Sequence, residues 1–256
     1  MPSVYTHFLV ARQSFLTLPT RIQNQIRPHL ALYYFGAQGA DFCFFYKFFK
    51  RKNNNLGSYL HRKGSLATFQ TLHAYAAQSP ALFSYAAGYI THYAADSILH
   101  PYVYAIADKS HLTHTRLESA LDYQYGNKYS KPAWEDYKLY FRPKLHKEEK
   151  NQLFSLFASI AEKCELPPLV KPTFFRAISV FNAYLPLSFT ILTHQRTKLL
   201  KSAFGENYNQ KTADLLQCIC HRSRTLINEF LRTIDTSSPL PKSLFDKSFL
   251  TGQSVK

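Results

Sequence analysis

Glycine is scarce in this 256-residue chain: the 8 present are too few for a turn-dense all-β fold. Cysteine is scarce as well. The four, at positions 43, 164, 218 and 220, have no spacing that suggests a disulfide framework. Cys218 and Cys220 sit two positions apart in an expected helix, where such neighbours face apart, so they read as reduced thiols rather than a metal tract. No run of 18 residues is free of charged or strongly polar groups, so no transmembrane helix is expected. The start, Met1-Pro-Ser-Val-Tyr-Thr-His7, lacks a basic region followed by an apolar run, so no secretory signal is expected. A cytoplasmic location is the expectation, with peripheral membrane association as a variant of it. Internal repeats and low-complexity segments are absent. Acidic residues are few: 16 Asp plus Glu stand against 31 Lys plus Arg, a formal charge of +15. Such a field either serves solubility or favours anionic partners, namely phosphates, nucleic acid or acidic lipid.

Hydrophobic residues are plentiful at 46%, with 18 Tyr and 21 Phe, enough to build a folded core without staples. Most long segments carry apolar residues at helical spacing. Helices are expected over Val4 to Phe15 and Pro19 to Ile26, then Ser65 to Gln78. A longer one should run from Pro80 to about Ala107, with Ser79 as its N-cap. His111 to Tyr125 should follow, ending before Gly126-Asn127. Later helices are expected near 146–164, 172–184, 187–204 and 208–234. Phe35 to Asp41 reads as a glycine-marked loop, Phe42 to Asn55 as a basic and aromatic stretch, and 128–145 as a polar connection. No segment reads as a strand. The fold class is therefore all-α, a single helical domain over 1–235, with 236–256 as a flexible C-terminal tail.

Chemistry concentrates in Tyr89-Ile-Thr-His92-Tyr-Ala-Ala-Asp96-Ser-Ile-Leu-His100-Pro. His92, Asp96 and His100 recur at i, i+4, i+8, one stripe that drifts about 40° per step. The Ala, Ile, Leu and Tyr residues around them imply a buried helix, where an unpaired carboxylate is costly. Asp96 has no Lys or Arg at i±3 or i±4; both i±4 positions are histidines, a ligand pattern rather than a salt-bridge pattern. His92 and His100 are roughly 12 Å apart along the axis, so the stripe implies at least two ions. His114 and Glu118 repeat the i, i+4 theme, and Asp122 continues that stripe. His7, Asp41 and His61 are further candidates. Singly, they read as a core histidine, a turn aspartate and a surface histidine.

Taken together, Thr6-His7, Gly36-Ala-Gln-Gly-Ala-Asp41, Leu60-His61, His92-x3-Asp96, His100-Pro101 and His114-x3-Glu118 resemble the zinc-dependent phospholipase C family. That bacterial group includes clostridial alpha-toxin and the Bacillus phosphatidylcholine-preferring enzyme. The order of the motifs is the family order, and the resemblance covers roughly residues 1–125. It implies an all-helical fold and a cluster of two or three zinc ions. Asp41, His61, His92 and Asp96 would hold one ion; His100, His114 and Glu118 a second. His7 would hold a third, with Asp96 bridging and the N-terminal residue completing the site. The chain departs from the pattern in three places. The tryptophan that opens secreted members is replaced by Met1-Pro2, the Asp96–His100 gap is two residues shorter than in the toxin-like enzymes, and His61 lies farther from Asp41. His73 is the rival for the role of His61.

The resemblance implies phosphodiester hydrolysis, foremost of phospholipid headgroups, with Asp41 also acting as general base. Phe42-Cys-Phe-Phe-Tyr-Lys-Phe-Phe-Lys-Arg-Lys52 suits an interface with anionic lipid; its other reading is core aromatics followed by a solvated basic loop. The alternatives are an S1/P1-like nuclease or nucleotidase, or a non-catalytic metal protein that binds lipid. The charge suits nucleic acid, yet no recognisable nucleic-acid module is present.

Overall fold

The apolar spacing near the start folds into α1, Val4–Thr17, and a short α2, Thr20–Ile26, follows. The computed structural model of the protein describes residues 4–47, 55–63, 65–110, 112–128, 134–191, 201 and 204–255. Continuing along the chain are α3 (Leu30–Gly36), a 3₁₀ turn at Asp41–Phe45, α4 (Leu56–Arg62), α5 (Ser65–Ala76) and α6 (Pro80–Ser110). Next come α7 (His114–Lys128), α8 (Trp134–Phe141), α9 (Lys147–Lys163) and α10 (Lys171–Ile191). Last come α11 (Tyr208–Asp235) and a single turn, α12 (Lys242–Phe245). Among the described residues there are no strands, only two isolated bridges, Lys47 with Asn55 and Lys247 with Ser254. The class is all-α, as the sequence implies.

Local chemistry sets the helix starts. The hydroxyl of Ser79 accepts from Leu82 N at 3.3 Å, and the amide oxygen of Asn55 accepts from Ser58 N at 2.8 Å. Glu149 reaches back to accept from His146 N at 2.7 Å, closing the first turn of α9. Helix α6 is the axle of the fold, packed by α1, α3, α5 and α11. Tyr85, Tyr89 and Tyr93 on α6 are wholly buried. The aromatic wealth of the sequence becomes edge-to-face packing, as with Phe8, Tyr140 and Phe141 between α1 and α8. The hydroxyls of buried tyrosines find carbonyls: Tyr33 donates to Ala11 O and Tyr140 to Val4 O, each at 2.7 Å.

Several expectations are corrected. Residues 134–141 are helical, where a polar connection is expected, and the helix over 30–36 takes in Phe35 and Gly36 of the expected loop; 56–62, to which the sequence reading assigns no element, is helical as well. Each piece is short, seven or eight residues, and so carries little periodic signal. Helix α7 continues through Gly126-Asn127 instead of stopping before them, and α10 passes through Pro186 instead of breaking there. The part of the expected 187–204 helix at 192–200 and 202–203 lies outside the described residues, as does His111.

The segment expected to be a flexible tail is built into the body. Phe245 and Phe249 are buried at 0% and 1% exposure. Ser65 Oγ donates to Phe245 O at 2.9 Å, Tyr93 OH to Leu244 O at 2.9 Å, and Phe249 N to His61 O at 3.2 Å. Gly252 has φ +64°, and a side chain there would strike the carbonyl of Ser97. That carbonyl is the one whose helical amide partner Pro101 removes. Low helical periodicity and the sequence Ser-Ser-Pro-Leu-Pro suit a frayed tail, but two buried phenylalanines anchor the segment.

Candidate metal centre

Five pieces of backbone deliver the titratable side chains to one place. Helix α6 supplies the stripe: His92, Asp96 and His100 are all buried. Helix α1 brings His7, whose Nε2 lies 3.3 Å from Asp96 Oδ1 and whose ring stacks on His92 at 4.3 Å. The turn after α3 brings Asp41, and α4 brings His61, with His61 Nε2 at 3.2 Å from Asp41 Oδ1. Helix α7 brings His114 and Glu118, 3.0 Å apart. In the loop before Asp41, Gly39 has φ +57°, and any side chain there would overlap the His92 ring.

The donors fall into three groups, two of which share His92. His7, His92 and Asp96 form one; Asp41, His61 and His92 a second; His100, His114 and Glu118 a third. Asp96 lies among them: Oδ2 is 3.2 Å from His92 Nε2, 3.8 Å from His61 Nε2 and 3.7 Å from His100 Nδ1. His92 and His100 thus belong to different groups, as their axial separation implies. All eight residues expected from the sequence converge here. The rival, His73, does not: it pairs with Thr233 Oγ1 at 3.0 Å and packs on Phe230. The residues at the very N-terminus, Met1 and Pro2, lie outside the described residues.

The donor chemistry fits zinc. All donors are imidazole nitrogens and carboxylate oxygens, with no thiolate among them. Ligands of a tetrahedral ion held at about 2.1 Å lie about 3.4 Å from one another. The His61–Asp41, His92–His61 and His92–Asp96 separations are 3.2, 3.4 and 3.2 Å. His61 Nδ1 donates to Gly57 O at 2.8 Å, which leaves the Nε2 lone pair facing His92 Nε2 and two carboxylates, the arrangement a cation satisfies. In the third group, Glu118 Oε2 is buried with no hydrogen-bond partner.

Electrostatics agree. Burial pushes Asp96 toward its neutral form, but His100, His92 and His7 outweigh it and hold the carboxyl well below its usual range. Burial also opposes ionisation of Asp41 and Glu118, and both are nonetheless lowered, by His61 with His92 and by His100 with His114 respectively. Burial, together with the charge of His7, lowers His92 and keeps it neutral, the form that donates a lone pair. His100 goes the other way: burial opposes its charge, yet Asp96 and Glu118 raise it to about 9.

Two contributors have no motif. Phe249 faces the cluster with both its parts. Its carbonyl accepts the Nδ1–H of His100 at 2.8 Å, and its ring lies 5.1 Å from His61 and 5.7 Å from His92. Asp122, expected to extend the His114/Glu118 stripe, turns away to the start of α1. It accepts from Tyr5 N at 3.1 Å, Thr6 N at 2.9 Å and Thr6 Oγ1 at 2.6 Å. Burial lifts its pKa to about 6. It holds the backbone one residue before His7.

The cluster opens into a pocket of about 200 Å³, lined also by Phe44, Ser58, Arg62, Tyr104 and Leu250. Of the basic and aromatic stretch beside it, Phe42, Cys43 and Tyr46 are buried, Phe44 and Phe45 half-buried and Lys47 exposed; 48–52 lie outside the described residues. No described helix is long and apolar enough to cross a membrane. A family model described as zinc dependent phospholipase C matches residues 6–165, a span that holds every donor of the three groups. Neither a curated protein nor a solved structure matches the chain.

Proposed function

The chain belongs to the zinc-dependent phospholipase C family, and we propose that it hydrolyses the phosphodiester of phospholipids, releasing diacylglycerol and a phosphorylated headgroup. Membership supports phospholipase-type phosphodiesterase chemistry; the substrate, the ion count and the roles below are our reading. The observation that carries it is the junction at Asp96, where ligand-competent groups meet on the floor of one pocket. Asp41, His61, His92 and Asp96 would hold one ion; His100, His114 and Glu118 a second; His7 and Asp96 would contribute to a third. When bound, zinc supplies Lewis-acid polarisation of the phosphoryl group and makes water more acidic.

The chain's own residues do the rest. Asp41 lines the pocket and is held ionised by His61 and His92, so it can orient a water and accept its proton. The water oxygen bonds to phosphorus as the bond from phosphorus to the glycerol oxygen breaks, and the proton that Asp41 takes from the water is passed on to that oxygen, which leaves as the alcohol and returns Asp41 to its ionised form. Burial of the cluster excludes bulk water and strengthens each electrostatic contact. We assign the half-buried Phe44 and Phe45 and the exposed Lys47 to a peripheral membrane contact, consistent with the +15 charge.

The test is metal analysis of the purified protein together with paired assays on phosphatidylcholine and single-stranded DNA. Two or three zinc ions per chain and turnover of the lipid alone support the proposal. Turnover of DNA alone makes the protein a nuclease of the same metal chemistry. Bound zinc without turnover of either, or of bis-p-nitrophenyl phosphate, makes it a non-catalytic metal protein.

A further inference from the structure

We infer that Arg62 selects the headgroup, favouring one that carries an anionic substituent beyond the scissile phosphate and disfavouring a quaternary ammonium. The inference rests on the phosphodiesterase reading above and narrows its substrate class. Arg62 follows His61 in the last turn of α4 and lines the same pocket as the metal donors. Its side chain is exposed. Among the described residues it forms no ion pair, unlike Arg21 and Arg232. Its charge is felt across the mouth at Tyr104, where burial and Glu118 raise the phenol's pKa and Arg62 opposes them.

Among the described residues the pocket holds three carboxylates, and each is engaged with histidines: Asp41 with His61, Asp96 with His7 and His92, and Glu118 with His100 and His114. None is left over to meet a cationic headgroup. The two pocket aromatics also lean on the cluster, Phe44 on His61 at 5.0 Å and Tyr104 on His114 at 4.6 Å with rings 8° from parallel. Each therefore gives ring surface to the cluster that an aromatic cage around an ammonium would need. Among the described residues that line the pocket, the one formal charge without an ion pair is that of Arg62, and it is positive. A phosphate seated over the donors directs the rest of the headgroup toward the mouth, where a guanidinium forks onto a carboxylate or a second phosphate and repels trimethylammonium.

Three phosphomonoesters separate the possibilities in calorimetric binding to the zinc-loaded full chain: 3-phosphoglycerate, glycerol 3-phosphate and phosphocholine. Affinity should fall in that order, with about tenfold between first and last, the size expected when one partly exposed charge switches from attraction to repulsion. Arg62→Gln should bring the three within about threefold of one another at unchanged zinc content, and Arg62→Lys should restore the order. A second arm compares hydrolysis of phosphatidylserine and phosphatidylcholine of the same chain length in neutral detergent micelles; the serine lipid should be preferred, and Arg62→Gln should erase the preference. Tighter binding of phosphocholine, no binding of any of the three, or an order that survives Arg62→Gln overturns the inference. The ligand order without lipid turnover would sink the hydrolase reading and leave Arg62 as the selecting residue.

Discussion

The Nδ1–H of His100 is held by the carbonyl of Phe249 at 2.8 Å, across 149 residues of sequence. A carbonyl only accepts, so the proton is fixed on Nδ1 and Nε2 is turned to Glu118 at 3.1 Å. The donor set of the third group is therefore oriented by a segment outside the 6–165 span that the family model matches.

Displacing that segment should cost metal before it costs fold. Gly252→Val puts a β-branched side chain at φ +64° and against Ser97 O, a strain of about 1–3 kcal/mol. Zinc affinity should fall by about 10- to 100-fold, as when an outer-sphere partner is lost, while far-ultraviolet circular dichroism stays helical. Full zinc retention in competition with a chromogenic chelator would count against the orienting role of Phe249.

Asp96→Asn removes the carboxylate that faces His7, His92, His61 and His100. Phosphodiesterase activity should drop by at least about 100-fold, beyond the loss typical of an outer-sphere change, and zinc per chain should fall by one ion or more. Mass spectrometry of the native protein reads the second quantity directly. Wild-type zinc content together with wild-type turnover would remove Asp96 from the centre.

Metal uptake should release protons. His100 of the metal-free protein, raised to about 9, carries its proton at pH 7 and must give it up to bind zinc. Calorimetric titrations in buffers of different ionisation enthalpy should show at least one proton released per chain. The same shift fixes a stability trend for the metal-free protein. A histidine whose folded pKa lies above its unfolded value of about 6.5 contributes fully below 6.5, and the contribution disappears as pH rises through about 9. After chelation, Tm should therefore fall over that window; zinc-loaded protein, with the proton already displaced, should show a flatter profile.

Asp122→Ala removes the acceptor of three hydrogen bonds at the start of α1. The buried donors left behind cost about 1–3 kcal/mol each when unpaired, less what water recovers. Denaturant midpoints should shift by about 2–4 kcal/mol in free energy, and Asp122→Asn, which keeps a carbonyl acceptor, by less. A histidine signal for His7 that stays sharp in both variants would separate the anchor from the placement of that ring.

Repetition made part of the centre legible. His92, Asp96 and His100 recur at helical spacing without a nearby cation, and His114 with Glu118 repeats the interval, so burial and ligand chemistry both show in the string of residues. His61 and His73 each sit on a short helix with no such repeat, and only the packing of α4 and α5 separates them. Asp122 departs from the site because 3.6 residues per turn lets a stripe drift, here far enough for the carboxylate to accept from the first turn of α1. Phe249 contributes a backbone carbonyl, which every residue has. The fold class follows from periodicity, whereas the short helices at 30–36, 56–62 and 134–141 display too little of a period to be read; α2, equally short, is legible because Pro19 marks its start.

The centre spans the chain from His7 to Phe249. Contacts of such long sequence separation are closed late, after the loop entropy between them has been overcome. The helix α6 stripe can form by itself, but α1, α4, α7 and the segment after α12 must dock before its donors converge. Tight zinc retention then reports completed assembly: a chain that holds its metal has brought its first and last described segments together, and one that has not will lose it to a competing chelator.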